Sequence, residues 1–204
     1  MVQLYLIRHG AYITLGENDT LVDDGLSRDG RDQAGRLADY LASINFTADV
    51  LLSSTLRRAI ETATLLAPTL QADVVERDDL QEWHNFVDGT ITSEQFSKRI
   101  NEMPASSRLF TPVMEGTERW VDFMVRACSA LNDIANTYRG KRVVAVCHAG
   151  IIEASFMYFT GMSTVRAPSI IVEAGYTSIT KWELLGNRWR LGVYNYQPHL
   201  LVGI

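Results

Sequence analysis

Two histidines in the chain each follow a strand-like apolar run and precede small residues. His9 stands in Leu6-Ile7-Arg8-His9-Gly10, and His148 follows the run 143–147 and precedes Ala149-Gly150. A strand that ends at a small residue presents its last side chains at the edge of a sheet, where ligands bind in open α/β sheets. An arginine beside a histidine is the arrangement expected where an imidazole meets an anion. The pattern indicates phosphate chemistry.

His9 has the setting of a nucleophile. A neutral imidazole can attack phosphorus directly and divide one displacement into two steps through a covalent intermediate. Its other ring nitrogen then needs an acceptor, such as a backbone carbonyl, that fixes the tautomer. The alternative is a histidine that the loop holds for structural reasons. The flanking Arg8 and Gly10 favour the catalytic interpretation.

Three arginines supply the positive charge that a phosphate site needs. Arg8 offers a planar guanidinium that matches phosphate oxygens at any working pH. Arg57 and Arg58 fall in the first turn of a predicted helix, where backbone N–H groups also favour an anion. Because adjacent helical residues point about 100° apart, only one of this pair can face the same phosphate, and the other is expected on the surface.

Glu82 and His148 complete the candidate site. Glu82 is followed by Trp83 and Phe86, and a carboxyl group beside aromatic surface suits a general acid that protonates a leaving oxygen. His148 can support the transferring phosphoryl group, whose oxygens need electrostatic stabilisation. Two histidines and a glutamate could also ligate zinc. The nearby arginines oppose a divalent cation, and no HxH or HxxxH spacing occurs, so we expect no metal site.

The elements that must position these residues alternate between strands and helices. Apolar runs predict strands at 2–7, 49–52, 72–76 and 142–147, and two closing strands at 177–184 and 190–196 that flank a Gly186-Asn187 hairpin signal. Helical periodicity predicts a helix that begins at Ser27 as its N-cap, a second from 56 to about 68, and further helices at 93–101, 118–138 and 151–159. The alternation predicts an α/β three-layer sandwich with a mostly parallel central sheet and an antiparallel edge.

The predicted inner faces of two helices follow from the same periodicity. The helix after the second strand is expected to end around Pro68. Its apolar stripe is Leu56, Ile60, Ala63 and Ala67. The stripe of the longest helix is Val121, Met124, Cys128, Leu131 and Ala135.

Composition bounds the class of protein. The chain of 204 residues fits a single domain over 1–204, and 47% hydrophobic with 21% charged residues is typical of a soluble globular protein. The net charge of -5 argues against a nucleic-acid or membrane partner. Two cysteines without ligand spacing, no leader pattern and no apolar run of about 20 residues indicate a soluble cytoplasmic protein with reduced, buried thiols.

The stretch at about 78–116 is less regular than the rest of the chain. It contains Trp83, His84, Phe86, Pro104 and Pro112. A long insertion between a strand and the next helix is often a lid or specificity loop, so we expect a small inserted lid region here. Whether His84 lines the pocket or is exposed stays open, with exposure favoured.

Several segments in order along the chain resemble the signatures of the histidine phosphatase superfamily, also called the phosphoglycerate mutase-like family. Leu6 to Gly10 is similar to its RHG signature, 26–34 to LTxxGxxQA, and 53–63 to SSPLxRAxxTA, which selects Arg58 over Arg57. Leu80-Gln81-Glu82 is similar to the acid-bearing loop, and 146–150 to the second-histidine motif. Asn195 with His199-Leu200 is like the usual ending, so the resemblance covers nearly the whole chain.

The resemblance implies a catalytic cycle and a set of site residues. His9 would be phosphorylated during turnover, and Glu82 would donate and accept the proton. The implied phosphate pocket consists of Arg8, Arg58, His148 and the backbone N–H of Ala149, where the family commonly has glycine. The resemblance also implies no metal ion and no organic cofactor.

Departures from the family pattern concern specificity. Ala11, Tyr12 and Leu15 stand where many members carry polar residues, including an asparagine that reaches the phosphate, so the resemblance does not extend to that phosphate contact. Gly116-Thr117-Glu118 stands where many members have Gly-Glu-Ser. These differences argue against a true phosphoglycerate mutase.

The sequence therefore predicts a metal-independent phosphatase that hydrolyses phosphate monoesters through a phosphohistidine on His9. Its substrate would be a phosphorylated small molecule or a phosphoprotein side chain. The alternatives are a phosphoglycerate-mutase-type phosphoryl transferase and a catalytically weak protein that binds a phosphorylated ligand. The sequence predicts neither the individual substrate nor the oligomeric state.

Overall fold

A six-stranded sheet forms the centre of the protein in a computed structural model that describes residues 1–104, 107, 109–162 and 172–201. The strands are β1 (Val2–Arg8), β2 (Val50–Ser54), β3 (Val74–Arg77), β4 (Arg142–Cys147), β5 (Ile179–Leu185) and β6 (Arg188–Tyr196). Their order is β3-β2-β4-β1-β5-β6, with β1 to β4 parallel and with β5 and β6 antiparallel to their neighbours. The predicted sheet is confirmed.

Helices cover both faces of this sheet. They are α1 (Arg28–Ser43), α2 (Arg57–Leu70), α3 (Ser93–Glu102), α4 (Trp120–Thr137) and α5 (Ala149–Thr160). Side chains of β4 alternate between two cores, because successive residues of a strand point to opposite faces. Val144 and Val146 pack with α1 and α2, whereas Val143 and Ala145 pack with α4 and α5. The three-layer sandwich is confirmed. Within the described residues, no helix has both the length and the apolar character to cross a membrane.

The buried faces of α2 and α4 differ from the predicted stripes. In α2 the buried residues are Arg58, Ala59, Thr62, Ala63, Leu66 and Leu70, so only Ala63 of the predicted stripe is buried. The buried face of α2 is shifted by about one residue from the predicted face, because Arg58 and Thr62 face the polar site. It also runs past Pro68 to Leu70, and Gln71 ends it in the left-handed region at φ 55°. The prediction of an end around Pro68 was two residues short.

In α4 the buried face centres on small residues. Met124, Leu131 and Ala135 are buried as predicted, but Val121 and Cys128 are only half-buried. The remaining buried positions are Phe123, Ala127, Ala130 and Ile134. Alanines at the contact allow neighbouring elements to approach closely, which the apolar periodicity did not reveal. Both Cys128 and Cys147 are free thiols, and Cys147 is fully buried.

The first turn of α1 packs directly against the loop that follows His9. Ser27 caps the helix as predicted, because its hydroxyl accepts the Gly30 N–H at 3.1 Å. A Cβ atom at Gly30 would lie 1.8 Å from the Ala11 carbonyl oxygen. Close backbone contact therefore fixes the start of the loop relative to the helix.

Gly30→Ala should destabilise the protein, whereas Gly35→Ala in the same helix should not. Nothing lies within 4 Å of a Cβ atom at Gly35, so alanine there should stabilise the fold by up to about 1 kcal/mol through helix propensity. At Gly30 we expect a loss of about 1–3 kcal/mol, the usual cost of overpacking. Urea unfolding of the two variants measures the difference, and similar effects at both positions would contradict this account.

Candidate active site

The pairing of β1 with β4 brings the two strand-end histidines together. Arg8 lies opposite Cys147 in the parallel register, and the His9 N–H donates to the Cys147 carbonyl at 3.0 Å. His9 and His148 therefore leave adjacent strands at the same carboxyl-terminal edge. Their ring centroids are 5.0 Å apart. The edge of the sheet thus places both imidazoles in one site.

Hydrogen bonds fix which nitrogen of His9 is free to react. Nδ1 lies 2.7 Å from the Gly10 carbonyl oxygen, which can only accept, so Nδ1 carries the proton. Nε2 then holds the lone pair, and it accepts the Arg58 Nε–H at 3.0 Å. Thr62 supports this arrangement because its hydroxyl accepts the Gly10 N–H at 3.1 Å. The ring is 2% exposed and has one defined tautomer.

Arg58 and Arg57 separate as the helical geometry requires. Arg58 is buried, and its Nη1 pairs with Asp23 at 2.5 Å. Its guanidinium also lies 4.5 Å from the centre of the Tyr12 ring. Arg57 is exposed and forms ion pairs with Asp24 and Glu61, away from His9. Arg58, which the family motif selects over Arg57, is the arginine that contacts His9.

Arg8 approaches the site from the end of β1. Its Nη1 donates to the Ala174 carbonyl at 2.6 Å, and its guanidinium stacks 4.1 Å from the centre of the Tyr176 ring. Its Nε is buried and has no partner among the residues that the structure describes. Two arginines, each stacked on a tyrosine, therefore stand beside the His9 ring with donors to offer an anion.

His148 is fully buried beside His9. Its Nε2 lies 2.8 Å from the Ser54 hydroxyl, and that hydroxyl already accepts the Leu56 N–H at 3.2 Å. This favours a Ser54 O–H that donates to Nε2, which leaves an N–H on Nδ1. That Nδ1 is buried and has no partner within the described part of the chain, so His148 retains one unused donor there.

Glu82 is held at the start of α5. Both of its carboxylate oxygens accept the Gly150 N–H, at 3.2 and 3.1 Å, and one accepts the Trp83 N–H at 2.9 Å. A helix N-terminus favours a carboxylate in this position. Ala149 is the first residue of α5, and the first residue of a helix has no intrahelical acceptor for its N–H.

Arg126 organises the segment that carries Glu82. Its guanidinium donates to the carbonyl oxygens of Asp79, Gln81 and Glu82 at 3.1, 2.9 and 3.3 Å. The opposite side of the guanidinium pairs with Glu118 at 2.8 Å. One side chain from α4 therefore fixes three backbone carbonyl groups in the segment that ends at Glu82.

These residues open into a cavity of about 930 Å³. Arg8, His9, Arg58 and Glu82 line it, together with residues of the inserted segment, including Trp83, Phe86 and Phe96. His84 lies at the cavity and is exposed, so both interpretations of that residue hold. The role of 78–116 as a lid stays a prediction. Among the described residues, no group of histidine, cysteine and carboxylate side chains could hold a metal ion.

Burial keeps both histidines uncharged. It is the main cause that lowers the pKa of His9 well below its ordinary 6.5, and the charges of Arg58 and Arg8 act in the same direction. The pKa of His148 is lowered in the same way, first by burial and then by Arg58 and His9. A neutral imidazole is the form that can act as a nucleophile.

The free energy of unfolding should therefore fall as the pH drops below 6.5. In that range the unfolded histidines take up protons that the folded ones do not, because their folded pKa values lie below the ordinary 6.5. Each such histidine costs up to about 1.4 kcal/mol per pH unit. We expect the stability of His148→Gln to fall less steeply with decreasing pH than that of the wild type. The difference in slope should correspond to about one proton fewer taken up on unfolding. Urea unfolding on either side of pH 6.5 tests this, and parallel slopes would contradict it.

Several residues of the site had no clear signal in the sequence. Asp23 holds Arg58, Tyr12 and Tyr176 stack on the arginines, and Arg126 holds the Glu82 segment. Each acts from a loop or a helix face where one polar or aromatic residue is unremarkable. Tyr12 was noted only as a departure from the family pattern.

Comparison with known proteins agrees with this geometry. The family model of the histidine phosphatase superfamily (branch 1) matches residues 4–197. A metal-independent phosphoserine phosphatase of Arabidopsis thaliana is 29% identical over 170 residues, which cover 80% of this chain and 71% of the relative. An uncharacterized phosphatase of Bacillus subtilis, PhoE, is 26% identical over 98% of this chain and 97% of its own.

Solved structures show the same fold. A mycobacterial glucosyl-3-phosphoglycerate phosphatase in complex with VO3 superposes with a TM-score of 0.73 and 25% identity, over 95% of this chain and 98% of that one. The resemblance seen in the sequence is thus confirmed by the family match and by the architecture. The chain belongs to the histidine phosphatase superfamily, branch 1, and is a phosphatase.

Proposed function

We propose that the protein hydrolyses phosphate monoesters without a metal ion, through a phosphoryl group carried on Nε2 of His9. The observation that carries this proposal is the fixed tautomer of His9. Nδ1–H is held by the Gly10 carbonyl, so the lone pair of Nε2 is the nucleophile. The Arg58 Nε–H, which donates to that lone pair in the free enzyme, would turn to a phosphate oxygen when the substrate enters.

The other residues have separate roles in this proposal. Arg8, Arg58, the unused Nδ1–H of His148 and the Ala149 N–H would stabilise charge on the phosphoryl oxygens. Glu82 would protonate the leaving oxygen while Nε2 attacks phosphorus from the opposite side. The carboxylate would then take a proton from the water that attacks the phosphohistidine, which releases inorganic phosphate and restores His9.

The substrate in this proposal is a phosphorylated small molecule. Relatives of the chain include phosphatases of phosphoserine and of glucosyl-3-phosphoglycerate, which supports a phosphate ester of a small organic alcohol as the substrate. Localisation in the cytoplasm, expected from the sequence, remains part of the proposal.

The test is turnover of an aryl phosphate in the presence of EDTA, with release of inorganic phosphate as the readout. We expect activity that EDTA does not reduce. Accumulation of an isomer of a phosphorylated substrate, instead of phosphate, would identify a mutase. Tight binding of phosphate esters without turnover would identify a binding protein. Either of these two results would overturn the proposal.

A further inference from the structure

The cavity is larger than a phosphoryl group requires, so its remaining walls must contact the rest of the substrate. It holds about 930 Å³, and aromatic rings form much of the wall beyond His9 and the arginines. These rings belong to Trp83, Phe86, Phe96 and Trp120. Aromatic walls can accommodate leaving groups of many shapes, but a charged residue in the wall would discriminate between substrates by their charge.

Glu153 is a charged cavity residue that the proposed reaction does not use. It lies in α5 one turn after Gly150, whose N–H holds the Glu82 carboxylate, so both carboxylates lie on the same side of the cavity. Glu153 is half-buried, and no hydrogen bond or ion pair links it to any described residue. Arg57, another cavity residue, already pairs with Asp24 and Glu61.

Within the part of the chain that the structure describes, no ion pair compensates the charge of Glu153. Burial raises the pKa of its carboxyl group to about 6, and the negative charge of Glu82 acts in the same direction. At neutral pH the group is therefore mainly ionised, although it is partly removed from water and has no partner among the described residues. Such a charge is costly unless an opposite charge joins it. A cation bound in the cavity would supply that partner, whereas a second anionic group would be repelled.

Two indole rings that line the same cavity favour the same kind of ligand. The indoles of Trp83 and Trp120 meet edge to face, with centroids 5.1 Å apart. The face of an indole attracts a cation through its quadrupole. The Glu153 carboxylate and the indoles could thus both contact an ammonium group, while Arg8 and Arg58 would bind the phosphate.

We propose that Glu153 determines specificity by binding a positively charged group on the leaving alcohol, so that the enzyme prefers phosphate monoesters of amino alcohols. The proposal rests on the proposed phosphatase function and deepens it. Glu153 would act on substrate choice, because its carboxylate contacts neither His9 nor the arginines. The phosphoryl chemistry stays with His9 and Glu82.

The test compares three phosphate esters that differ in the charge of the alcohol. Phosphoethanolamine carries an ammonium group, propyl phosphate is a neutral analogue of similar length, and phosphoglycolate carries a carboxylate. The readout is the ratio of kcat/KM values between two esters for one enzyme, because general effects of a substitution on activity cancel in it. For the wild type we expect phosphoethanolamine to be preferred to propyl phosphate by roughly tenfold or more, as for a hydrogen bond to a charged group.

Two substitutions and a matched control complete the experiment. Glu153→Gln should bring the ratio close to one, and Glu153→Lys should shift the preference towards phosphoglycolate. Asp88→Asn is the control because Asp88 is another cavity carboxylate, but exposed. It should keep the wild-type ratio.

The outcomes separate this proposal from the one on which it rests. A wild-type ratio near one, a ratio that Glu153→Gln leaves unchanged, or an equal loss in Asp88→Asn would overturn the role of Glu153. Aryl phosphate turnover measured in parallel tests the phosphatase function itself. Its presence together with a flat ratio would refute only the specificity.

Discussion

Replacing His9 with alanine should lower kcat for an aryl phosphate by about 10⁴-fold or more, in line with the loss of a catalytic nucleophile in other hydrolases. His9 is the only residue in the described site whose lone pair is both fixed in one tautomer and directed towards an arginine donor. In the variant, water would have to attack the phosphate ester directly, because no phosphohistidine can form. The variant should still bind phosphate through Arg8 and Arg58.

A labelling experiment identifies the intermediate directly. Wild-type enzyme quenched in base during turnover of a radiolabelled phosphate ester should retain a label that acid removes, as expected for a phosphoramidate bond. His9→Ala should retain none. His84→Ala is the matched control, because His84 is exposed and makes no contact with His9, and it should be labelled like the wild type. Equal labelling of all three proteins would show that another group carries the phosphoryl.

Gly150→Ala should lower kcat by about 10²-fold or more, within the range that general acid–base catalysis contributes. A Cβ atom at Gly150 would lie 2.2 Å from a carboxylate oxygen of Glu82 and 2.9 Å from the Phe123 ring. The carboxylate must therefore move away from the amide that holds it. The substitution removes no functional group, so its effect reports the position of Glu82.

Two measurements assign this effect to proton transfer. Alkyl phosphates, whose leaving oxygen needs a proton, should lose more activity than nitrophenyl phosphate, whose leaving group departs as an anion. In a double-mutant cycle with Glu82→Gln, the two losses should be far from additive, because both act on one carboxylate. Equal losses for both substrate types, or additive effects, would show that Gly150 acts by another route. Thermal unfolding of the variant checks that the fold is retained.

The sequence predicted the fold well because its strongest signals are long and local. The buried runs of β1 and β4 and the closing hairpin give clear strand patterns, and Ser27 marks the start of α1. The faces of α2 and α4 were less accurate. A stripe of apolar residues does not show that Arg58 and Thr62 turn towards a polar site, since that depends on what the helix meets in space.

The residues of the candidate site also differ in how well the sequence predicted them. His9, Arg58 and Glu82 lie in segments with a recognisable pattern, and the structure brings all three to one cavity. Asp23 and Arg126 had no such pattern. Their importance comes from the groups they touch, a buried guanidinium in one case and three carbonyl oxygens in the other. Partners of this kind are defined by distance, which one sequence does not contain.

The register of β1 and β4 also bears on how the enzyme folds. These two strands are neighbours in the sheet, yet α1 to α4 and both β2 and β3 lie between them along the chain. Closing so long a loop costs entropy before any native contact repays it, which slows folding. His9 and His148 meet only when that pairing is complete. A phosphate ion bound by both, as we propose, would therefore stabilise the finished sheet and would not stabilise an intermediate in which the two strands are still apart.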